Sequence, residues 1–308
     1  MPARHLPTLF LLSVIWGASF LFIEVQLEAG IAPLGVAGLR TLLGAAALLP
    51  FALPALRRTP PSPRTALLFG ILGITNFAIP WTLIALAEHH ISSGMASIAN
   101  STAPLWAAIL SVAFLRTDAL TPRRALGLAI GFSGIVFLAG PASLAQLSGQ
   151  AFGVGLVLLS TLSYAASAIA IRRALGGLEP VVVALGQLVP ATAVLLPLAF
   201  AAGSFEGAAW SGRVIAAATV LGVLGSGAAV ALYMNLIQRI GAVRSTLVTY
   251  LIPPWGVLLG WALLGEPLGL DVLAGLVAIL AGVLIVQGVV PLPSLRRAPS
   301  QGTAAAGR

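Results

Sequence analysis

The chain contains no cysteine and no lysine; all 16 of its basic residues are arginine. The first absence excludes disulfides and thiolate metal sites. The second excludes a lysine-bearing phosphate loop and Schiff-base chemistry, and with them an ATP-driven pump within this chain. Charge is scarce as well. Charged residues make up 8% of the 308 positions, against about 25% in an ordinary soluble domain, so they are too few to cover a water-facing surface. Histidine is almost missing: His5 is terminal, and His89 and His90 adjoin Glu88 in a loop. A Ser–His dyad buried in a span is therefore excluded, and two adjacent histidines with one acid make a poor metal site. The two aspartates, Asp118 and Asp271, fall in loops on opposite sides, which removes an aspartyl dyad. No enzyme, metal or cofactor is read from these residues.

What the chain has is apolar length. Hydrophobic residues make up 59% of it, and a membrane span needs about 20 mostly apolar residues in a row. Ten such runs are predicted, at 6–27, 33–56, 64–87, 92–115, 122–140, 151–171, 180–202, 212–238, 242–264 and 269–290. Arg4 precedes the first, but its end, "IEVQLEAG", offers no small-residue cleavage site, so it is kept as a span rather than a signal peptide. A short tail, 291–308, is rich in Ala, Ser and Gly.

The arginines orient the spans. Arg4, Arg57, Arg58, Arg64, Arg116, Arg123, Arg124, Arg172, Arg173, Arg239, Arg244, Arg296, Arg297 and Arg308 fall on one side of a ten-span chain. Only Arg213 lies opposite, and Arg40 lies within a span. The positive-inside rule makes both termini cytoplasmic. Most acids, among them Glu24, Glu28, Glu88, Glu206 and Glu266, fall on the other side. The net charge of +8 is thus a cytoplasmic face set against anionic lipid, and no nucleic-acid partner is expected.

An internal repeat divides the chain at an offset of 147 to 149 residues. "NSTAPLWAAILSVAFL" from Asn100 overlays "TYLIPPWGVLLGWALL" from Thr249, "PLGVAGLRTLLGAAALLP" from Pro33 overlays "PVVVALGQLVPATAVLLP" from Pro180, and "GLAIGFSGIVFLAG" from Gly127 overlays "GLVAILAGVLIVQG" from Gly275. Each copy holds five spans, an odd number, so the second copy is inverted relative to the first. Residues 6–140 form one five-helix repeat and 151–290 the other. Inverted repeats are a common transporter construction, with the substrate site near the midplane between them.

Polar groups recur inside the spans at helical spacing. The fourth span carries Ser97, Asn100, Ser101 and Pro104; the ninth carries Thr246, Thr249, Tyr250 and Pro253; the sixth carries Ser160, Ser163, Tyr164 and Ser167. Trp16 and Ser19 hold the matching places in the first span. Asn76 and Trp81 lie in the third span and Asn235 in the eighth. Such groups avoid lipid, so they either knit helices together or line a substrate path. Pro104 and Pro253 are kink or hinge positions, and Pro254 is an extra proline facing Leu105 in the alignment. Arg40 lies about seven residues inside the second span, roughly 10 Å deep. It can snorkel outward, pair with Glu24 or Glu28, or meet a substrate carboxylate. Glu24 stands one turn from the end of its span, as a rim residue or a charge contact. No acid is predicted at the midplane, so uniport and antiport both remain open. The small-residue spacings Gly127/Gly131 and Ala278/Gly282 mark the fifth and tenth spans as peripheral helices or a dimer face.

The W-G-x-S at Trp16–Ser19, Arg40, the proline after each polar stripe and the L-G-E-P at Leu264–Pro267 together resemble the drug/metabolite transporter superfamily, specifically its EamA-type exporters. The resemblance covers about residues 8–290. It implies ten transmembrane helices as two inverted five-helix repeats around a central cavity. It also implies export of small metabolites, commonly amino acids, from the bacterial cytoplasm across the inner membrane. The first repeat departs from the pattern: it has "LRTD" where Glu266 stands in the second. A neutral, aromatic, hydroxyl-rich lining favours zwitterionic or apolar solutes such as neutral or aromatic amino acids. Expected partners are that solute and membrane lipid, with the chain as a monomer or weak homodimer. A channel-like facilitator, a carrier of the same superfamily for another metabolite or drug, and a membrane assembly or lipid-handling protein are the competing readings.

Overall fold

The computed structural model describes residues 6–110, 112–113, 121–140, 149–175, 177–240 and 248–289. The expected tail at 291–308 and Thr246 lie outside them. Among the described residues the protein is helical throughout, without a strand. Helix α1 spans Leu6–Glu28 and α2 Pro33–Arg58. Helix α3 joins Pro63–Gly73, a π-helical Ile74–Ala78 and Ile79–Glu88. Two short helices follow, α4 (Ser93–Asn100) and α5 (Ala103–Leu110). Next come α6 (Pro122–Ala139), α7 (Gly149–Ala174) and α8 (Pro180–Ala201). Helix α9 joins Gly212–Thr219, a π-helical Val220–Ala228 and Ala229–Ile240. Helices α10 (Val248–Leu264) and α11 (Leu270–Gln287) complete the described chain. Eight of these helices are long and apolar enough to cross a bilayer, and α10 is a shorter apolar helix.

Local chemistry sets the starts. Proline opens α2, α3, α6 and α8, at the one place in a helix where its missing N–H costs nothing. Side-chain hydroxyls of Ser62, Ser92, Thr121 and Ser211 accept from the amides of Thr65, Met95, Arg124 and Val214, satisfying donors that a helix start leaves free. Gly288 ends α11 with φ of 81°, a left-handed conformation that suits glycine.

The fourth span departs from the expected unbroken run. It stops at Asn100, turns through Ser101 and Thr102, and restarts as α5. Pro104 has no N–H to offer the Asn100 carbonyl, so the α-helical ladder lacks a rung there. The chain tightens instead: the amides of Ser101 and Thr102 bond to Ile98 O and Ala99 O at 3.0 and 3.2 Å. Their hydroxyls bond to the same two carbonyls. Pro253 and Pro254, by contrast, lie inside an uninterrupted α10. The single-proline copy is the broken one.

Helix pairing repeats between the halves. Helix α6 packs on α11, α2 on α8 and α4 on α10. The contact of α1 with α10 is matched by α7 with α4 and α5; that of α2 with α9 by α8 with α3; and that of α3 with α7 by α9 with α1. Exchanging the first five predicted spans for the second five leaves this pattern unchanged. The α6–α11 pair bears on the expectation of peripheral helices or a dimer face. A Cβ on Gly127 would sit 2.8 Å from Gly282 O, and one on Gly134 2.8 Å from Ile279 N. The glycine stripe is filled by this internal contact, so it offers no free dimer face.

Candidate functional site

The two π-helical segments position the polar interior. In α3 the wider turn sets Ile79 N on Ile74 O, five residues back. The next donor in that pattern would be residue 80, which is proline, so Thr75 O is left without a backbone partner. Ser163 of α7 fills the gap by donating its hydroxyl to Thr75 O, Ser167 Oγ lies 2.9 Å from Thr75 Oγ1, and Ser160 donates to Pro80 O at 3.2 Å. This serine stripe therefore joins α7 to α3 through hydrogen bonds.

In α9 the π turn brings Ser226 Oγ to Leu221 O at 3.0 Å. Gly44 lets α2 lie close: a Cβ there would be 3.0 Å from Ser226 Cβ. Arg40 is one turn away on the same face of α2. It is buried, at 7% exposure, and its Nε donates to Ser226 Oγ at 2.8 Å. Its guanidinium carbon sits 3.9 Å over the ring of Trp81, a cation–π stack. Trp81 in turn leans on Phe77 at 4.7 Å. Tyr164 lies within electrostatic reach of Arg40 and beside Trp81 and Ser160. Among the described residues the two terminal nitrogens of Arg40 make no hydrogen bond. A guanidinium carries five N–H protons, and four belong to those nitrogens.

The other half repeats this contact in neutral form. Gln187, which the repeat aligns with Arg40, lies fully buried on α8. Its Oε1 accepts from Asn76 Nδ2 at 3.1 Å, and its Nε2 donates to Val183 O at 2.9 Å. Asn76 sits in the π segment of α3 as Ser226 sits in that of α9. One bridge is thus neutral, with its side-chain oxygen and nitrogen both engaged; the other is cationic with donors to spare. Neither Gln187 nor Ser226 was among the expected site residues. The signal for Gln187 was its alignment with Arg40, and for Ser226 its being the lone hydroxyl in "GVLGSGA".

The remaining expected residues divide. Trp16 donates Nε1–H to Gly225 O at 3.0 Å and meets Tyr233 edge-on at 5.1 Å, so it anchors α1 on the π turn of α9. Ser19 bonds to Ile15 O and lines a cavity of about 180 Å³ between α1 and α9 with Ala18, Phe22, Leu221 and Gly225. Ser97 and Ser101 are buried and bond within their own helix, to Gly94 O and Ile98 O. Asn100 is half-buried, and its buried Oδ1 has no hydrogen-bond partner among the described residues. Thr249 and Tyr250 are half-buried, and Tyr250 packs on the main apolar core. Asn235 lies apart: it is exposed, and its Oδ1 accepts from Arg239 Nε at 2.6 Å. Pro104 is in the first turn of α5, and Pro253 is inside α10. Arg40 reaches Ser226 and Trp81 rather than Glu24 or Glu28, and Glu24 is half-buried, its Oε2 without a partner among the described residues. His89 and His90 are exposed as expected, but Glu88 beside them is buried.

Membrane-length helices around buried polar bridges define a polytopic membrane protein. The family model described as the EamA-like transporter family matches residues 5–140 and 151–287, and the chain belongs to that family of membrane transporters. It is 31% identical over 292 residues to an uncharacterized inner membrane transporter, YedA, of Escherichia coli strain K12, covering 93% of this chain and 92% of that one. It is 29% identical over 285 residues to a probable terminal-alkyne amino-acid exporter of Streptantibioticus cattleyicolor, covering 91% and 92%. A protein of known crystal structure shares the fold with a TM-score of 0.65 at 18% identity, covering 94% of this chain and 99% of that one.

Proposed function

We propose that the protein is a secondary carrier that exports small carboxylate-bearing metabolites, neutral and aromatic amino acids foremost, across the bacterial inner membrane. The observation that carries this reading is Arg40: buried, stacked on Trp81, tied at Nε to Ser226, with its terminal N–H groups open among the described residues. A buried guanidinium needs acceptors. A carboxylate matches its paired terminal donors in geometry and charge, and the Trp81 and Tyr164 rings beside it suit an apolar or aromatic side chain. The amino-acid exporter among the relatives points the same way.

Two inverted five-helix halves moving by alternating access are the mechanism. The exchange-symmetric pairing and the π segment in each third helix of a half support it. Both termini lie in the cytoplasm, on the arginine-rich side. The break at Ser101–Thr102, with Thr102 Oγ1 3.0 Å from Thr161 Oγ1 of α7, is the joint at which α4 moves relative to α5.

The test is flux of labelled phenylalanine and other amino acids in proteoliposomes, with counterflow separating a carrier from a channel-like facilitator. Arg40→Gln copies the neutral bridge of the other half, so the variant keeps its fold. It should weaken apparent substrate affinity by about tenfold to a hundredfold, the loss of one charge-assisted contact. Wild-type affinity in the variant, or no saturable flux for any amino acid, would sink the reading.

A further inference from the structure

Three carboxylates gather where α1 and α3 end, α4 begins and α10 leads into α11. Their surroundings are unequal. Glu266 is fully provided for: Oε1 accepts from Ser93 N at 2.6 Å and Oε2 from Gly94 N at 2.9 Å, at the N-terminus of α4. The first amides of a helix have no partner within it, and the helix dipole attracts a carboxylate there. Glu88, the last residue of α3, is 5% exposed. Its Oε1 is buried with no hydrogen-bond partner among the described residues, and Glu24 Oε2 is in the same condition.

Among the described residues the one side-chain donor that reaches Glu88 is contested. Ser93 Oγ lies 3.3 Å from Glu88 Oε2 and 3.4 Å from Phe20 O, and a hydroxyl has one proton to give. An ionised Glu88 would leave one of those two acceptors empty, and would set a second negative charge against Glu24 and Glu266 in a buried place. A protonated Glu88 resolves the geometry. Its Oε2–H donates to Ser93 Oγ, and Ser93 Oγ–H donates to Phe20 O. The charged groups facing Glu88 are Glu24 from α1, Glu266 from the α10–α11 connection and Arg40 from α2; Glu28 lies beyond Glu24 on α1.

We propose that Glu88 is a proton-binding site and that its proton is the counter-substrate of transport, taken from water when the cluster opens and released on the opposite cycle. The step is a simple association, carboxylate plus proton giving carboxylic acid, with no other reactant. The site stands on geometry; its coupling to export rests on the function proposed above.

Two measurements separate the site from the coupling. Infrared titration of the reconstituted protein reads the carbonyl stretch of a protonated carboxylic acid without any solute. A band persisting at neutral pH in the wild type, lost in Glu88→Gln and retained in Glu206→Gln, is the expected result. In Glu24→Gln, which removes a facing negative charge, the band should disappear at lower pH than in the wild type. No neutral-pH band, or a band that persists in Glu88→Gln, overturns the proposal. The second measurement is accumulation of labelled phenylalanine in vesicles one pH unit more acidic inside, with the membrane potential clamped at zero. One-for-one exchange gives about tenfold accumulation, one unit of pH being one decade. Glu88→Gln should equilibrate phenylalanine without accumulating it. Wild-type accumulation in Glu88→Gln, or equilibration only in the wild type, overturns the coupling. Absence of any phenylalanine flux defeats the transport reading while the infrared titration still decides the site.

Discussion

Glu266→Gln should loosen the start of α4 selectively. The carboxylate holds the first two amides of that helix at 2.6 and 2.9 Å, and it is wedged between helices: a Cβ on Gly94 would be 3.2 Å from Oε2. Glutamine keeps one acceptor but turns an NH2 group toward an amide N–H, so one bond is lost outright and the other loses its charge. Hydrogen bonds to charged groups contribute about 1.5–3 kcal/mol, and the carboxylate's attraction to a helix N-terminus adds about 0.3–1 kcal/mol. A local loss of about 2 kcal/mol is the central expectation, which raises the open population about thirtyfold. Hydrogen exchange read by mass spectrometry on the peptide covering 92–100 measures that opening directly. Exchange there should accelerate about thirtyfold, while the α6–α11 pair, whose packing does not involve Glu266, keeps its protection. Glu206→Gln, at an exposed loop glutamate, is the control and should change neither. Unchanged exchange over 92–100 in Glu266→Gln would refute the reasoning, as would acceleration spread evenly over the chain.

Three further outcomes are expected. Ser163→Ala leaves Thr75 O without a donor beside Pro80 and should cost about 1–3 kcal/mol in thermal denaturation in detergent, whereas Ser101→Ala, whose bond stays within its own turn, should cost less than about 1 kcal/mol. Gly282→Leu drives a side chain into Gly131 and the Gly127 carbonyl, so folded yield by size-exclusion chromatography should fall, while Val277→Leu on the exposed face of α11 should leave it unchanged. Because the chain lacks cysteine, single cysteines report cleanly. Asn235→Cys should react with a water-soluble maleimide, and Ser97→Cys, fully buried against Gly256, should be protected unless substrate cycling opens the helix.

The glycine stripes show how far sequence pattern carries. Gly127, Gly131 and Gly282 announce close helix approach, and the approach exists, but its partner lies inside the molecule rather than on a second copy. The serine stripe of α7 shows the same limit. Its spacing puts Ser160, Ser163 and Ser167 on one helix face, yet it does not say whether their protons meet a solute or a carbonyl stranded by Pro80. Asn235 fits the same polar pattern and faces outward.

Residue order alone settles what depends on near neighbours in the chain. Apolar run length set the membrane spans, proline and hydroxyl residues marked the helix starts, and the repeat announced matched halves. Those are one-dimensional properties, written in adjacent residues and in their periodicity. Packing between helices sets the π segments' register against α2 and α8, the pairing of Arg40 with Ser226 and of Gln187 with Asn76, and the meeting of Glu24, Glu88 and Glu266. Each joins residues from different helices, and a hydrogen bond at 2.8 Å depends on rotations and sliding distances between helices that no local pattern encodes. The same Arg40 that the sequence leaves free to snorkel, pair or bind is held by that packing on Trp81 with its terminal donors turned to neither Glu24 nor Glu28.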